Sequence, residues 1–201
     1  MVNYESAIKR PFTDWKKLVI GVFLSIIPIV NFITYGYFIK CAKTKDKLPE
    51  WDNIKDYFIT GLMIVIIGSI YILPGFILMG LGLATGTIFG LTLNSIILGI
   101  LSGSLFLILA IFLLLIVSYI LPIAIFDFVK RNKFEDAFKL KSIIKRSFKQ
   151  TYFVPYMFIF LYSLAAGIVA TFIPIIGTFI AHFAVGVTFF TVMGEVYPKL
   201  K

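Results

Sequence analysis

An all-α, membrane-spanning helix bundle is the fold class this sequence predicts, and three observations predict it. From Tyr57 to Phe126 the chain runs 70 residues without an Asp, Glu, Lys, Arg or His. Two more charge-free stretches, Leu18–Ile39 and Gln150–Gly194, flank it. Hydrophobic residues make up 60% of the 201, and the mean hydropathy is +0.99, far from soluble domains. One helix needs only ~20 apolar residues to cross a hydrocarbon core, so the chain is expected to cross several times. Barrel strands alternate apolar and polar residues over ~10 positions, whereas these segments are apolar on every side. Residues 1–201 are therefore expected to form a single membrane domain, a polytopic bundle of about six hydrophobic segments with interfacial amphipathic helices.

Residues 1–17 are basic, with Lys9, Arg10, Lys16 and Lys17, and Tyr4, Ile8, Phe12 and Trp15 recur three to four apart. That spacing predicts an interfacial helix interrupted at Pro11, with Trp15 at headgroup level. Segment 18–39 starts too late and runs too long for a signal-peptide core. It ends in Tyr-Phe-Ile-Lys-Cys without a small-residue cleavage site, so it is expected to stay as an anchor. Its centre, Ile27-Pro28-Ile29-Val30-Asn31, leaves two readings: one kinked span, or a re-entrant hairpin turning at Pro28.

Residues 40–56 form a charged loop in which Lys40, Lys43, Lys45, Lys47 and Lys55 face Asp46, Glu50, Asp52 and Asp56. Within it Leu48-Pro49-Glu50-Trp51-Asp52 reads as a turn into a helix, with Asn53 and Asp56 as a weak capping pair. The long charge-free stretch divides at its glycines and serines. Spans are expected at 57–79, 82–101 and 104–126, with turns near Gly80 and Ser102-Gly103-Ser104. Pro74 and Pro122 each close a Tyr-Ile-Leu-Pro tetrad. Each frees a carbonyl one turn earlier, at Ile70 and Ser118, and invites a bend.

Residues 127–149 carry eight basic side chains. Phe134, Ala137, Phe138, Ile144 and Phe148 share one helical face, and Lys141 and Lys145 must snorkel from it. An interfacial helix is expected there. The last spans, 152–172 and 175–196, turn at Pro174 in Ile-Pro-Ile-Ile-Gly, a sequence like that around Pro28.

Charge and length favour different topologies. Six spans put 1–17, 127–149 and 197–201 on one side and the five lysines of 40–56 on the other. A re-entrant tip at Pro28 with an even number of crossings in the long stretch puts all 19 basic residues on one side. The positive-inside rule favours the second arrangement. Length favours the first, because a 22-residue apolar stretch normally spans and two spans covering 70 residues would each be too long. Both place the C-terminus and 127–149 in the cytoplasm, at the cell membrane.

The sequence is poor in reactive groups. The net charge of +9 reflects lysines at membrane flanks, where anionic headgroups favour them. No nucleic-acid motif accompanies it, so no nucleic-acid partner is expected. The one cysteine, Cys41, excludes an intramolecular disulfide and an all-cysteine metal site. Gly82, Gly86 and Gly90, with Asn94 next in the series, lie on one helical face. Such a face serves close helix packing or lines a cavity. His182 has no acidic partner within a span, and reads as a hydrogen-bonder between helices. No zinc motif, nucleophile elbow or nucleotide loop occurs. No catalytic, metal or cofactor-binding residue is assigned, and no cofactor is expected.

Gly36-Tyr37, the basic stretch after it, Leu48-Pro49-Glu50-Trp51-Asp52, Gly61, and Tyr71 to Pro74 together resemble a mostly archaeal family of multi-pass membrane proteins known as domain of unknown function 4013. The likeness extends over nearly the whole chain and is most specific at the Leu-Pro-Glu-Trp-Asp loop. It implies an integral cytoplasmic-membrane protein, archaeal in source, and no catalytic residue. The expected role is a non-enzymatic scaffold that docks anionic lipid headgroups or an unidentified membrane or cytosolic protein. Residues 48–52 are the candidate docking loop. The alternative is a channel or transporter for a small neutral or apolar solute along the glycine face and Asn94.

Overall fold

The computed structural model describes residues 2–44 and 47–200. Lys45, Asp46 and Lys201, counted above among the charged segments, lie outside the described residues. Eight α-helices occur among those described: α1 (Tyr4–Lys9), α2 (Trp15–Ile26), α3 (Asn31–Lys43), α4 (Ile54–Thr92), α5 (Ile96–Arg131), α6 (Leu140–Ser147), α7 (Gln150–Ala170) and α8 (Ile176–Val196). Short 3₁₀ turns cover Arg10–Phe12, Phe134–Phe138 and Tyr197–Lys199. Four helical stretches are long and apolar enough to cross a membrane: α4, α5, α7, and α8 with its 3₁₀ extension.

The expected six segments are thus corrected at two places. The first is Leu18–Ile39, which breaks at Ile27–Val30 into α2 and α3 of 12 and 13 residues. At 1.5 Å per residue each is about 18–20 Å long, short of a ~30 Å hydrocarbon core. Pro28, which cannot donate a backbone hydrogen bond, sits in the turn. The stretch is thus two short helices joined by a turn at Pro28, and not one continuous helix. The second is the 70-residue stretch, where no turn forms near Gly80 or at 102–104. α4 is helical for 39 residues and α5 for 36, and the interruption lies at Leu93–Ser95. Pro74 and Pro122 lie inside these helices, while Pro174 lies in the turn between α7 and α8.

The chemistry of the Leu93–Ser95 turn shows why the break falls there. Asn94 adopts φ 45°, a left-handed conformation that asparagine tolerates better than most residues. Its N–H donates to Leu91 O at 3.3 Å, and Ser95 N–H donates to Gly90 O at 3.0 Å. This is the pair of bonds of a Schellman cap. Ser95 then begins the next helix, with its Oγ accepting from Leu98 N at 3.4 Å. Glycine and serine inside an apolar helix, at 80 and 102–104, offer no comparable replacement for lost backbone bonds. In a bilayer such a replacement decides where a helix ends.

Backbone contacts divide the chain into two units: Met1–Val65 with Ile123–Lys201, and Ile66–Pro122. In the second unit, the facing halves of α4 and α5 pair as a hairpin whose large side chains, such as Leu91, Ile96 and Phe112, are exposed. In the first, α8 packs against α1, α2, α3 and α7, and Phe183, Val187 and Met193 are fully buried. Phe38 of α3 lies between Phe183 and Phe190, with ring centroids 5.6 and 5.8 Å away. Lipid tails are as apolar as these side chains, so close packing, and not escape from water, holds such contacts inside a membrane. Glycines permit it: a Cβ on Gly36 would fall 2.0 Å from Tyr57 O, and one on Gly61 would fall 1.7 Å from Phe32 O.

Candidate functional site: the charged end of the first unit

The charged side chains of this unit gather around the C-terminal end of α8. Arg10, 1% exposed, follows α1 directly. Its Nη1 donates to Cys41 O at 2.8 Å and to Thr191 Oγ1 at 2.9 Å. Nη2 donates to Thr44 Oγ1 at 2.7 Å and to Lys47 O at 2.9 Å. Cys41 belongs to the last turn of α3, whose carbonyls have no helical partner and carry the negative end of the helix dipole. The guanidinium thus caps α3 with neutral oxygens and ties together the N-terminus, the 40–56 loop and α8. Nothing in the sequence marks Arg10 among its basic neighbours. Cys41 is itself fully buried.

The Leu48–Asp52 loop is fastened to the bundle. Leu48 and Pro49 are buried. The Trp51 ring stacks on Tyr37 with centroids 3.7 Å apart and planes 9° apart, and Trp51 Nε1 donates to Lys17 O at 3.3 Å. Tyr37 Oη donates to Pro49 O at 2.9 Å. The two carboxylates point outward, yet Glu50 pairs with Lys17 Nζ at 2.5 Å and Asp52 accepts from Tyr57 Oη at 2.8 Å. That hydrogen bond holds the Asp52 carboxyl below the usual carboxylate range. α4 begins directly after Asn53, whose carbonyl accepts from Tyr57 N at 2.9 Å. Tyr37, Trp51 and the approach glycines Gly36 and Gly61 therefore build one structural joint.

The second cluster is built from Asp127, the first charged residue after the apolar stretch. Arg146 of α6 grips both oxygens of Asp127, and Tyr197 Oη donates to the same carboxylate. The Asp127 bond raises the Arg146 guanidinium above its ordinary value. Lys130 Nζ stands 5.6 Å from the Tyr197 ring centroid. Beside this cluster Asp136 is buried, pairs with Lys139, and lies 3.6 Å from Arg131 Nε. The Lys139 bond is the main reason its carboxyl is held low. These groups line a polar cavity of about 280 Å³. The continuous interfacial helix expected over 127–149 is in fact the end of α5, a 3₁₀ turn and α6. Ile143 and Ser147 of α6 face inward, while Leu140, Ile144 and Phe148 form an exposed stripe beside exposed Lys141 and Lys145.

The glycine face closes on itself. A Cβ on Gly82 would lie 3.0 Å from Gly103 O, and one on Gly86 would lie 3.1 Å from Gly99 O. An open groove of about 670 Å³ runs beside these glycines. Asn94 lies just beyond the end of α4, in the cap, and lines the same groove as the three glycines. His182 meets the rings of Tyr35 and Phe38 at 5.9 and 6.2 Å, and its Nε2 finds no hydrogen-bond partner among the described residues. No group of three potential metal ligands occurs among the described residues.

Four candidate spans, an all-α fold and one charged end define a polytopic helical protein suited to a membrane. The chain belongs to the family described as "Protein of unknown function (DUF4013)", whose profile matches residues 20–176. The matched region includes both the Tyr37–Trp51 joint and the Asp127–Arg146 pair. No curated protein and no solved structure matches the chain.

Proposed function

We propose that the protein is a non-enzymatic component of the cytoplasmic membrane whose charged end, C-terminus included, faces the cytoplasm and binds anionic lipid headgroups. The observation that carries this reading is α6. Its Leu140, Ile144 and Phe148 side chains are exposed along one stripe, and Lys141 and Lys145 flank it. An apolar stripe between lysines suits the boundary between acyl chains and anionic headgroups. Phe12, Trp15 and Lys16, likewise exposed, offer the same chemistry where α2 begins. Four crossings support the orientation, because they bring all four charged segments to one side, as the positive-inside rule favours.

Stability in nanodiscs tests the lipid reading. Raising the anionic fraction should stabilise the wild type by about 1 kcal/mol per engaged lysine. High salt and Lys141→Glu/Lys145→Glu should remove the gain. Equal stability in zwitterionic and anionic discs would refute it. Orientation is tested at Lys43→Cys, an exposed position, leaving buried Cys41 in place. An impermeant maleimide should label it only after lysis.

A further inference from the structure

We propose that the polar cavity between the end of α5, the Phe134–Phe138 turn, α6 and Tyr197 binds a phosphorylated polyol: a phosphomonoester carrying a neighbouring hydroxyl, of glycerol phosphate size. The inference rests on the headgroup reading above and names the ligand of one defined pocket at that surface.

Three observations converge. The first is charge. Lys130, Arg131, Lys139 and Arg146 line the cavity against Asp127 and Asp136, an excess of two positive charges. A phosphomonoester carries ≈ −1.5 to −2 near neutral pH, so it balances that excess, whereas a phosphodiester or carboxylate leaves part of it unmatched. The second is the state of the cations. Asp127 occupies Arg146 through both carboxylate oxygens. Arg131 forms no hydrogen bond with a described residue, only the 3.6 Å approach to Asp136, and its side chain is 64% exposed. Its planar fork is open for the two-point grip that arginine gives phosphate, with Lys130 and Lys139 beside it as point charges.

The third is Asp136. Its side chain is 4% exposed, and its Oδ2 accepts no hydrogen bond from a described residue. A buried carboxylate oxygen left without a donor is costly. A phosphomonoester dianion has no proton to donate there, but a hydroxyl two or three bonds away does. Size agrees as well. A cavity of about 280 Å³ lies just below the ~300–1,000 Å³ of ordinary small-molecule sites, which suits a headgroup.

The same chemistry comes from two sources, a soluble polyol phosphate or the headgroup of a lipid such as lysophosphatidic acid. Isothermal titration of the full-length protein at pH 8 in neutral detergent, with sn-glycerol 3-phosphate, methyl phosphate and glycerol, tests the proposal. The expected result is saturable one-to-one binding of glycerol phosphate, weaker binding of methyl phosphate by threefold or more, and none of glycerol. Arg131→Gln/Lys139→Gln, both at exposed side chains, should weaken glycerol phosphate at least tenfold. Asp136→Asn should tighten methyl phosphate and erase the preference between the two. Competition by lysophosphatidic acid in nanodiscs assigns the site to a lipid, and its failure assigns it to the soluble compound. Absence of saturable binding, or equal binding by the double variant, overturns the proposal. Lys141→Glu/Lys145→Glu lies outside the cavity and should leave glycerol phosphate binding intact. Loss of cavity binding with anionic-lipid stabilisation intact overturns only this inference, and loss of the stabilisation alone overturns only the broader reading.

Discussion

Replacing Gly103 by alanine tests whether the glycine face of the α4–α5 hairpin is a packing surface. A Cβ at Gly103 would stand 2.6 Å from Gly82 O and 3.2 Å from Gly86 Cα. Contacts between carbon and carbonyl oxygen settle at ~3.3–3.6 Å, so the two helices must separate by about 0.7–1 Å. A gap of that size forfeits a quarter to a half of the dispersion well of every atom pair along the seam. Overpacking of this kind costs ~1–3 kcal/mol. Against it stands the helix-propensity gain of alanine over glycine, ~0.5–1 kcal/mol. Gly80→Ala supplies the control, because nothing lies within 4 Å of a Cβ there. It takes the propensity gain alone. The difference between the two variants therefore isolates the overpacking term, and Gly103→Ala should be the less stable by about 1–3 kcal/mol. Reversible unfolding in mixed micelles measures it. Equal shifts for the two variants would refute the reasoning, and would return the glycines to the role of cavity lining.

Arg10→Lys should destabilise by more than about 3 kcal/mol, because one ammonium cannot reach four oxygens that a planar fork holds and hydrogen bonds to charged groups contribute ~1.5–3 kcal/mol each; thermal unfolding in detergent reads the loss. Asn94→Ala should cost about 1 kcal/mol, because alanine tolerates φ 45° less well than asparagine, while Asn94→Gly should cost little; hairpin stability separates the two. The Asp136 carboxyl lies below its ordinary value of 3.8 in the folded protein. Its stabilising contribution is therefore present above pH ~4 and lost as pH falls through the lowered value. Asp136→Asn should flatten the acid limb of a stability–pH curve and leave the neutral region lower.

Much of this architecture was legible in the order of the residues, and the parts that were not share a cause. A charge-free run of 70 residues sets the class, because no soluble core accommodates it. Pro28 and Pro174 stand in turns, each where a backbone donor is missing near a second helix-weakening residue. The same residue at 74 and 122 did not end a helix. In a bilayer the cost of exposing further backbone groups outweighs one missing bond. Glycine spacing at 82, 86 and 90 marked one helical face, but the glycines it faces, 99 and 103, were assigned to a span end and a turn.

The charged segments show the sharper division. The order of residues alone determined that lysines and arginines crowd the ends of the apolar stretches. Which of them are bound internally was decided only in three dimensions. Arg10 and Lys9 are neighbours in sequence; one is sealed beneath α3 by four neutral oxygens, and the other pairs with Glu5 in the open. Asp127 and Arg146 are joined only because α6 folds back on the end of α5, beside the last residues of the chain. Hydrophobic periodicity is a local property and survives in the sequence. The Arg10 guanidinium's partners lie 31 to 181 residues away, so only the packed structure settles them.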